Sequence, residues 1–122
     1  MIDISTLTIK EARKALDNKE FTAVELAGVY LSSISEKNGE INAYLEVFSD
    51  VLEQAKEADL LIQSGGQKEL TGIPLSIKDN ILIDGRKATS ASKILEGFVA
   101  PYDATVIKKL KEVKIGENIR KE

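Results

Sequence analysis

The sequence predicts an α/β fold in which helices pack on a small sheet. Helix and strand signals follow one another in the order helix, helix, strand, helix, strand, helix, which is typical of layered α/β proteins. The composition, 43% hydrophobic and 30% charged residues in a chain of 122, is that of one folded globular domain. Because two strands alone are marginally stable in water, we expect the sheet to be incomplete within this chain.

The first two helices are predicted from their capping boxes. Residues 8–11 and 22–25 each place a threonine three residues before a glutamate, so that each side chain can bond the other residue's backbone N–H. These boxes predict one helix over residues 9–17 and a second from residue 23 to about Glu36. We expect Asn38–Gly39 to end the second helix, since both residues tolerate positive φ.

The remaining helices and turns are predicted from apolar spacing and turn residues. Asp50 precedes a regular apolar stripe that predicts a third helix from Val51 to about Gln63. Residues 84–87 indicate a turn, and Ser92 is expected to cap a short helical turn through Ile94 and Leu95 that ends at Gly97. Asp103 is expected to be the N-cap of the last helix.

Two segments are predicted as strands. Residues 41–48 are short, aromatic and partly alternating, and residues 70–83 form a longer apolar stretch. Apolar and polar residues alternate from Ile73 to Lys78, as in a strand with two distinct faces. Pro74 belongs near the beginning of such a strand because it cannot donate a ladder hydrogen bond.

Lys78 interrupts the apolar stretch and has two interpretations. If the strand is buried on both faces, Lys78 is a desolvated amine with unusual acid–base chemistry. If one face is open to water, it is an ordinary surface lysine. The strand pattern alone favours the surface position, because lysine is rarely fully buried.

The chain contains no cysteine and no histidine, which excludes several kinds of site. Disulfides are impossible, and so are zinc sites built on Cys or His. Catalytic arrangements that use histidine as the base are excluded within this chain. Lysine is therefore the leading candidate for a base.

The composition also limits where the protein is located and whether it binds membranes or RNA. No apolar run approaches the roughly 20 residues of a membrane span, and the first residues lack the pattern of a secretory signal. We therefore expect a cytoplasmic protein that does not bind membranes. The excess of basic residues over 105–122 is interpreted as a solvated helix face, because it lacks the aromatic residues and glycine pattern of RNA-binding modules.

Three stretches resemble a known family. Residues 70–81, Leu-Thr-Gly-Ile-Pro-Leu-Ser-Ile-Lys-Asp-Asn-Ile, are similar to the first signature segment of the amidase signature family. Within that family, residues 89–98 and 101–106 most resemble the A subunits of glutamyl-tRNA(Gln) amidotransferases. The resemblance extends over about residues 4–112.

The resemblance implies the N-terminal part of the amidase-signature layered fold, with helices packed on an incomplete mixed sheet. We expect residues 1–122 to form a partial amidase domain. It divides into an N-terminal helical region at 1–69, the first signature segment at 70–112 and a divergent tail at 113–122.

The family's catalytic triad consists of a serine, a second serine in a cis peptide, and a lysine that corresponds to Lys78. A free lysine, with a pKa near 10.4, is protonated at neutral pH, whereas burial lowers that pKa and makes a base. The resemblance therefore predicts a buried Lys78. Asp79 and Asn80 are expected either to hold the lysine or adjacent loops through hydrogen bonds, or to satisfy only local backbone.

The resemblance also implies a function for the whole protein. It would hydrolyse glutamine and supply ammonia for converting Glu-tRNA(Gln) to Gln-tRNA(Gln), together with B- and C-type subunits. ATP and Mg would serve the partner subunit, and no cofactor or metal is expected in this chain.

The family's serines lie beyond Glu122, so we expect this chain to be inactive alone, whether it is a fragment, a truncated gene or a frameshift. A catalytically dead interaction module and a fragment of a general amidase remain the alternatives.

Overall fold

The computed structural model describes residues 2–114. The last eight positions of the predicted tail at 113–122 lie outside the described residues. A single 3-10 turn spans Lys93–Leu95. The described α-helices are α1 (Ile9–Asp17), α2 (Ala23–Ile41), α3 (Val51–Gln63) and α4 (Thr105–Lys114).

Both predicted capping boxes form. At α1, the hydroxyl of Thr8 accepts from the N–H of Glu11 at 3.2 Å, and the N–H of Thr8 donates to the Glu11 carboxylate at 2.9 Å. The bonds from the backbone and then the side chain of Thr8 hold the pKa of Glu11 below its ordinary value. The box of Thr22 and Glu25 repeats this arrangement at α2. The predicted starts of both helices are confirmed.

The predicted end of α2 is wrong. The helix continues through Asn38 and Gly39 to Ile41, and the left-handed residue is Asn42 at φ 55°. Asn38 has a tertiary role instead, because its side-chain amide accepts from Tyr44 N at 2.9 Å and donates to Tyr44 O at 3.1 Å. This pairing folds the chain back after the helix, so Asn38 acts on the loop and does not stop α2.

The core lies between α1, α2 and α3. Leu16 of α1 and Leu26 of α2 are fully buried, and small residues surround them. Alanines let the helix backbones approach closely, and Ile73 from the chain after α3 completes the cluster. The α3 carboxylate of Asp59 also accepts from the N–H groups of Ala23 and Val24 at 2.7 and 3.2 Å. It thereby satisfies free donors at the α2 N-terminus.

The two predicted strands do not form within residues 2–114. Residues 41–48 contain the last residue of α2 and a loop, while residues 73–78 are extended but pair with no strand of the described chain. We call residues 73–78 the extended segment. A β-bridge joins Lys87 to Val99. The alternating pattern correctly indicated an extended backbone, but a ladder also needs a neighbouring strand, which these residues do not supply.

Of the other turn and helix predictions, some are confirmed and the predicted cap of the last helix is wrong. The third helix, the turn at residues 84–87 and the short helical turn after Ser92 are all present. The prediction that Asp103 caps the last helix is wrong, because α4 begins at Thr105. The Asp103 carboxylate instead accepts from Asp84 N at 2.8 Å and from Lys111 Nζ at 2.5 Å.

The C-terminal end of α4 holds the beginning of the extended segment. Leu70 N donates to Val113 O at 2.9 Å, and the buried Lys114 donates through Nζ to Ile73 O at 2.8 Å. The hydroxyl of Thr71, which is fully buried, donates to Lys114 O. These contacts, made far apart in sequence, set where the extended segment leaves the core.

Gly72 passes between α1 and α2, where a side chain would be tightly crowded. Its φ is 84°, and a Cβ there would lie 3.1 Å from Ala23 Cβ and 3.3 Å from Leu16 Cδ1. Both the backbone conformation and the close approach therefore require glycine.

No helix within residues 2–114 combines the length and the apolar character that crossing a bilayer demands.

Substituting Gly72→Ala should destabilise the chain more than Gly85→Ala. Gly85 also has positive φ, 78°, but nothing lies within 4 Å of an added Cβ. Each alanine incurs about 1–2 kcal/mol for the left-handed backbone. Gly72→Ala adds about 1–3 kcal/mol for overpacking. Urea unfolding of both variants measures the difference, and equal losses would show that the contact with Leu16 and Ala23 is unimportant.

Candidate functional site

A groove of about 750 Å³ lies between α2, the loop at residues 42–50 and residues 74–81. Its walls are largely apolar and include Tyr30 and Leu31 of α2 and Leu75 of the extended segment. The polar residues that line it are Tyr44, Glu46, Ser76, Lys78, Asp79, Asn80, Lys87 and Ser90. An apolar cleft with a few convergent polar groups is the usual form of a binding site, so we treat this groove as the candidate site.

Lys78 lies on the wall of the groove and its side chain is exposed. The alternation along the extended segment is preserved, since Ile73 is buried and Leu75 and Ile77 are half-buried, whereas Ser76 and Lys78 are exposed. The prediction that Lys78 is buried is wrong for residues 2–114, because no layer of these residues covers the polar face of the segment. Its role as a catalytic base stays a prediction.

Asp79 contacts a neighbouring loop and does not merely satisfy local backbone. Its carboxylate accepts from Thr89 N at 3.2 Å and also from the Thr89 hydroxyl. Its carbonyl oxygen accepts from Ser90 N at 3.3 Å. Of the two alternatives for Asp79, the geometry therefore matches the one in which it holds an adjacent loop. Asn80 is exposed on the same turn.

The loop that Asp79 contacts has an uncommon backbone. Ser90 and Ala91 both have positive φ, 51° and 56°, although neither is glycine. Within the loop, Thr89 accepts from Ser92 N at 2.8 Å through its carbonyl oxygen and from Ala91 N at 3.2 Å through its hydroxyl. The sequence alone did not indicate Thr89 as the partner of Asp79.

Arg86 links the turn at residues 84–87 to Phe48 and Asp50, which lie before and at the start of α3. One guanidinium nitrogen lies 2.9 Å from both carboxylate oxygens of Asp50, and the guanidinium carbon lies 4.0 Å from the ring centroid of Phe48. This contact explains why Asp50 makes no side-chain cap on α3. On the groove wall, the hydroxyls of Tyr44 and Ser76 are 2.8 Å apart. Neither the Arg86 contacts nor the Tyr44–Ser76 contact was predicted from the sequence, because the partners are far apart in the chain and no local pattern indicates them.

Metal binding receives no support from the described residues, because residues 2–114 contain no cluster of three or more His, Cys, Asp or Glu placed to hold an ion.

Comparison with known proteins establishes the family. The family model for amidases matches residues 25–114, well over half of the chain. The chain therefore belongs to the amidase family. Its layered α/β fold class agrees with solved amidases. An amidase family protein from Bacillus anthracis has a TM-score of 0.83 and 26% identity, over 93% of this chain and 23% of that one. A peptide amidase from Stenotrophomonas maltophilia also has a TM-score of 0.83 and 26% identity, over 92% and 24%.

Higher identities are found among amidotransferase subunits. The chain is 56% identical over 110 residues to the A subunit of the glutamyl-tRNA(Gln) amidotransferase of Ruminiclostridium cellulolyticum, a match that covers 89% of this chain. It is 44% identical over 112 residues to the corresponding protein of Thermoanaerobacter pseudethanolicus, a match that covers 91%. The chain spans 23% of the length of each of these relatives.

Breaking the Arg86–Asp50 pair should weaken the connection between the turn at residues 84–87 and the start of α3. The side chains are 25% and 29% exposed, so the pair is only partly screened. A double-mutant cycle with Arg86→Met and Asp50→Asn should give a coupling free energy of about 1 kcal/mol. Urea unfolding of the four proteins measures it. Additive losses, with no coupling, would show that the two side chains stabilise the chain independently.

The apolar groove should make the isolated chain bind a hydrophobic dye or self-associate. Leu45 is 68% exposed and Val47 is 41% exposed beside it, and uncovered apolar surface of this kind favours association. Dye fluorescence and sedimentation of the 122-residue chain measure the two outcomes. A monomer that melts cooperatively without binding dye would show that these residues form a self-sufficient domain.

Proposed function

We propose that this chain is the N-terminal portion of the A subunit of a glutamyl-tRNA(Gln) amidotransferase, and that it is inactive alone. The observation that carries the proposal is the 56% identity to the Ruminiclostridium cellulolyticum protein over 110 residues. The solved amidases, at 26% identity, are more distant in sequence although similar in fold. This difference favours an amidotransferase over a general amidase, which remains the second candidate.

In this proposal Lys78 is the general base of the amide-hydrolysing site. The ammonium group of an exposed lysine has no lone pair to accept a proton, and its ordinary pKa is about 10.4. Lys78 already lies on the wall of an apolar groove. Further protein packed over that groove would desolvate the amine, favour its neutral form and allow it to accept a proton. By the family resemblance, the serines of the proposed triad are expected beyond Glu122.

The relatives support the rest of the proposal. Because they are A subunits, partner subunits are expected, and we propose the B and C types. Because they are amidotransferases of glutamyl-tRNA(Gln), we propose that nitrogen released from glutamine is transferred to an aminoacylated tRNA. Activation of that acceptor by ATP and Mg is assigned to the partner subunit. A cytoplasmic location belongs to the same proposal.

A chimeric protein tests this function. Residues 4–112 of the chain replace the matching segment of the Ruminiclostridium cellulolyticum A subunit, which is then assembled with its own partner subunits. We expect the chimera to hydrolyse glutamine. Lys78→Ala should lower kcat by about 10²–10⁴-fold, the usual contribution of a general base. The matched control is Lys93→Ala, which removes an exposed lysine that does not line the groove.

Three results would contradict parts of the proposal. Unchanged hydrolysis by the Lys78→Ala chimera would remove Lys78 as the base. A chimera that hydrolyses simple amides but not glutamine would favour the general amidase. Glutamine hydrolysis by the isolated 122-residue chain would show that it is active without further residues.

A further inference from the structure

Two turns beside the groove are interlocked by one side chain. The first turn spans residues 78–81 and is closed by a hydrogen bond from Ile81 N to Lys78 O at 3.0 Å. The second spans residues 89–92 and is closed by a hydrogen bond from Ser92 N to Thr89 O at 2.8 Å. Asp79 belongs to the first turn and accepts three hydrogen bonds from the second turn. Its carboxylate accepts two from Thr89, and its carbonyl oxygen accepts one from Ser90 N.

The second turn needs an external support. Ser90 and Ala91 have left-handed backbones, which cost about 1–2 kcal/mol for each residue that carries a Cβ. Such conformations persist where the surroundings over-determine them, and they concentrate at functional sites. Asp79 supplies part of that support, because it accepts from Thr89 and Ser90 at the residues where the left-handed stretch begins.

Asp79 also constrains Lys78 directly before it. The carbonyl of Lys78 is held by Ile81 N, and the next residue is held by Thr89. These contacts hold the backbone on the C-terminal side of Lys78, which lines the groove. Lys78, Ser90 and Ala91 all line that groove, so the interlocked turns form one continuous part of its wall.

We propose that Asp79 is a positioning residue, which acts through Thr89 to hold the 89–92 turn against the 78–81 turn and so aims Lys78 into the groove. The proposal deepens the proposed function, and it rests on that function only where Lys78 is taken as the base. The positioning itself is a property of this chain and is testable without any catalytic activity.

The test is site-resolved lysine labelling of the 122-residue chain. Limiting amounts of an N-hydroxysuccinimide ester acylate neutral amines, and mass spectrometry gives the rate at each lysine. Thr89→Val removes the hydroxyl but keeps the Asp79 charge, so any change at Lys78 reports position and not electrostatics. Thr89→Ser keeps the hydroxyl and is the matched control. Asp79→Asn is a second variant that removes the charge.

We expect Thr89→Val to raise the labelling rate of Lys78 by about threefold or more, the order of change that follows the loss of one net hydrogen bond. Asp79→Asn should raise it as well, since the amide that replaces the carboxylate is a weaker acceptor for both Thr89 bonds. Thr89→Ser should keep the original rate. Lys56, which is exposed on α3, should label equally in all four proteins.

The labelling rate of Lys114 distinguishes a local change at Lys78 from unfolding of the chain. Its side chain is buried and bonded to Ile73 O, so its labelling rises only when the core opens. A rise at Lys78 with Lys114 still protected supports the proposal. An unchanged rate at Lys78 in both Thr89→Val and Asp79→Asn would overturn it, and so would equal rises at Lys78 and Lys114. The chimera of the preceding subsection decides the proposed function separately, because labelling requires no turnover.

Discussion

The passage of Gly72 between α1 and α2 is the constraint on which the candidate site depends. At this point the backbone comes so close to Ala23 and Leu16 that a Cβ would be crowded, at 3.1 and 3.3 Å from their side chains. Ile73 enters the core one residue later. From there residues 74–81 run along the groove wall, with Ser76 and Lys78 more exposed than Leu75 and Ile77. The location of Lys78 is therefore a consequence of helix packing a few residues earlier.

Contacts from distant parts of the chain reinforce that register. Lys114 and Val113 at the end of α4 bond the backbone at Ile73 and Leu70. Arg86 holds Asp50 at the start of α3 and stacks on Phe48. The groove is thus framed by long-range polar contacts, while most of its wall is apolar. These contacts fix the backbone around the groove, although no described residues cover it.

The likeness to solved amidases explains how an α/β fold class and a helical structure agree. The described residues superpose on amidase structures with TM-scores of about 0.83, yet no ladder forms among residues 2–114. The extended segment has the alternating burial of a strand, and what it lacks is a neighbour. The exposed state of Lys78 follows from the same lack, since burial of a residue in a sheet depends on the layers around it.

Local signals in the sequence determined the features that depend on neighbouring residues. The capping boxes at Thr8 and Thr22 located two helix starts correctly, because a cap is satisfied within four residues. The alternation from Ile73 to Lys78 and the motif around it likewise identified the extended backbone and the family. Lys78, Asp79 and Asn80 were identified as candidate site residues from sequence alone, because they belong to this motif.

Only the tertiary structure decided which distant groups meet. Asn38 continues a helix because its amide binds Tyr44, and Asp103 does not cap α4 because its carboxylate binds Asp84 and Lys111. The pairing of Asp79 with Thr89 belongs to the same class. A polar side chain near a turn has several possible partners of similar energy, and the packing of the whole chain selects one of them.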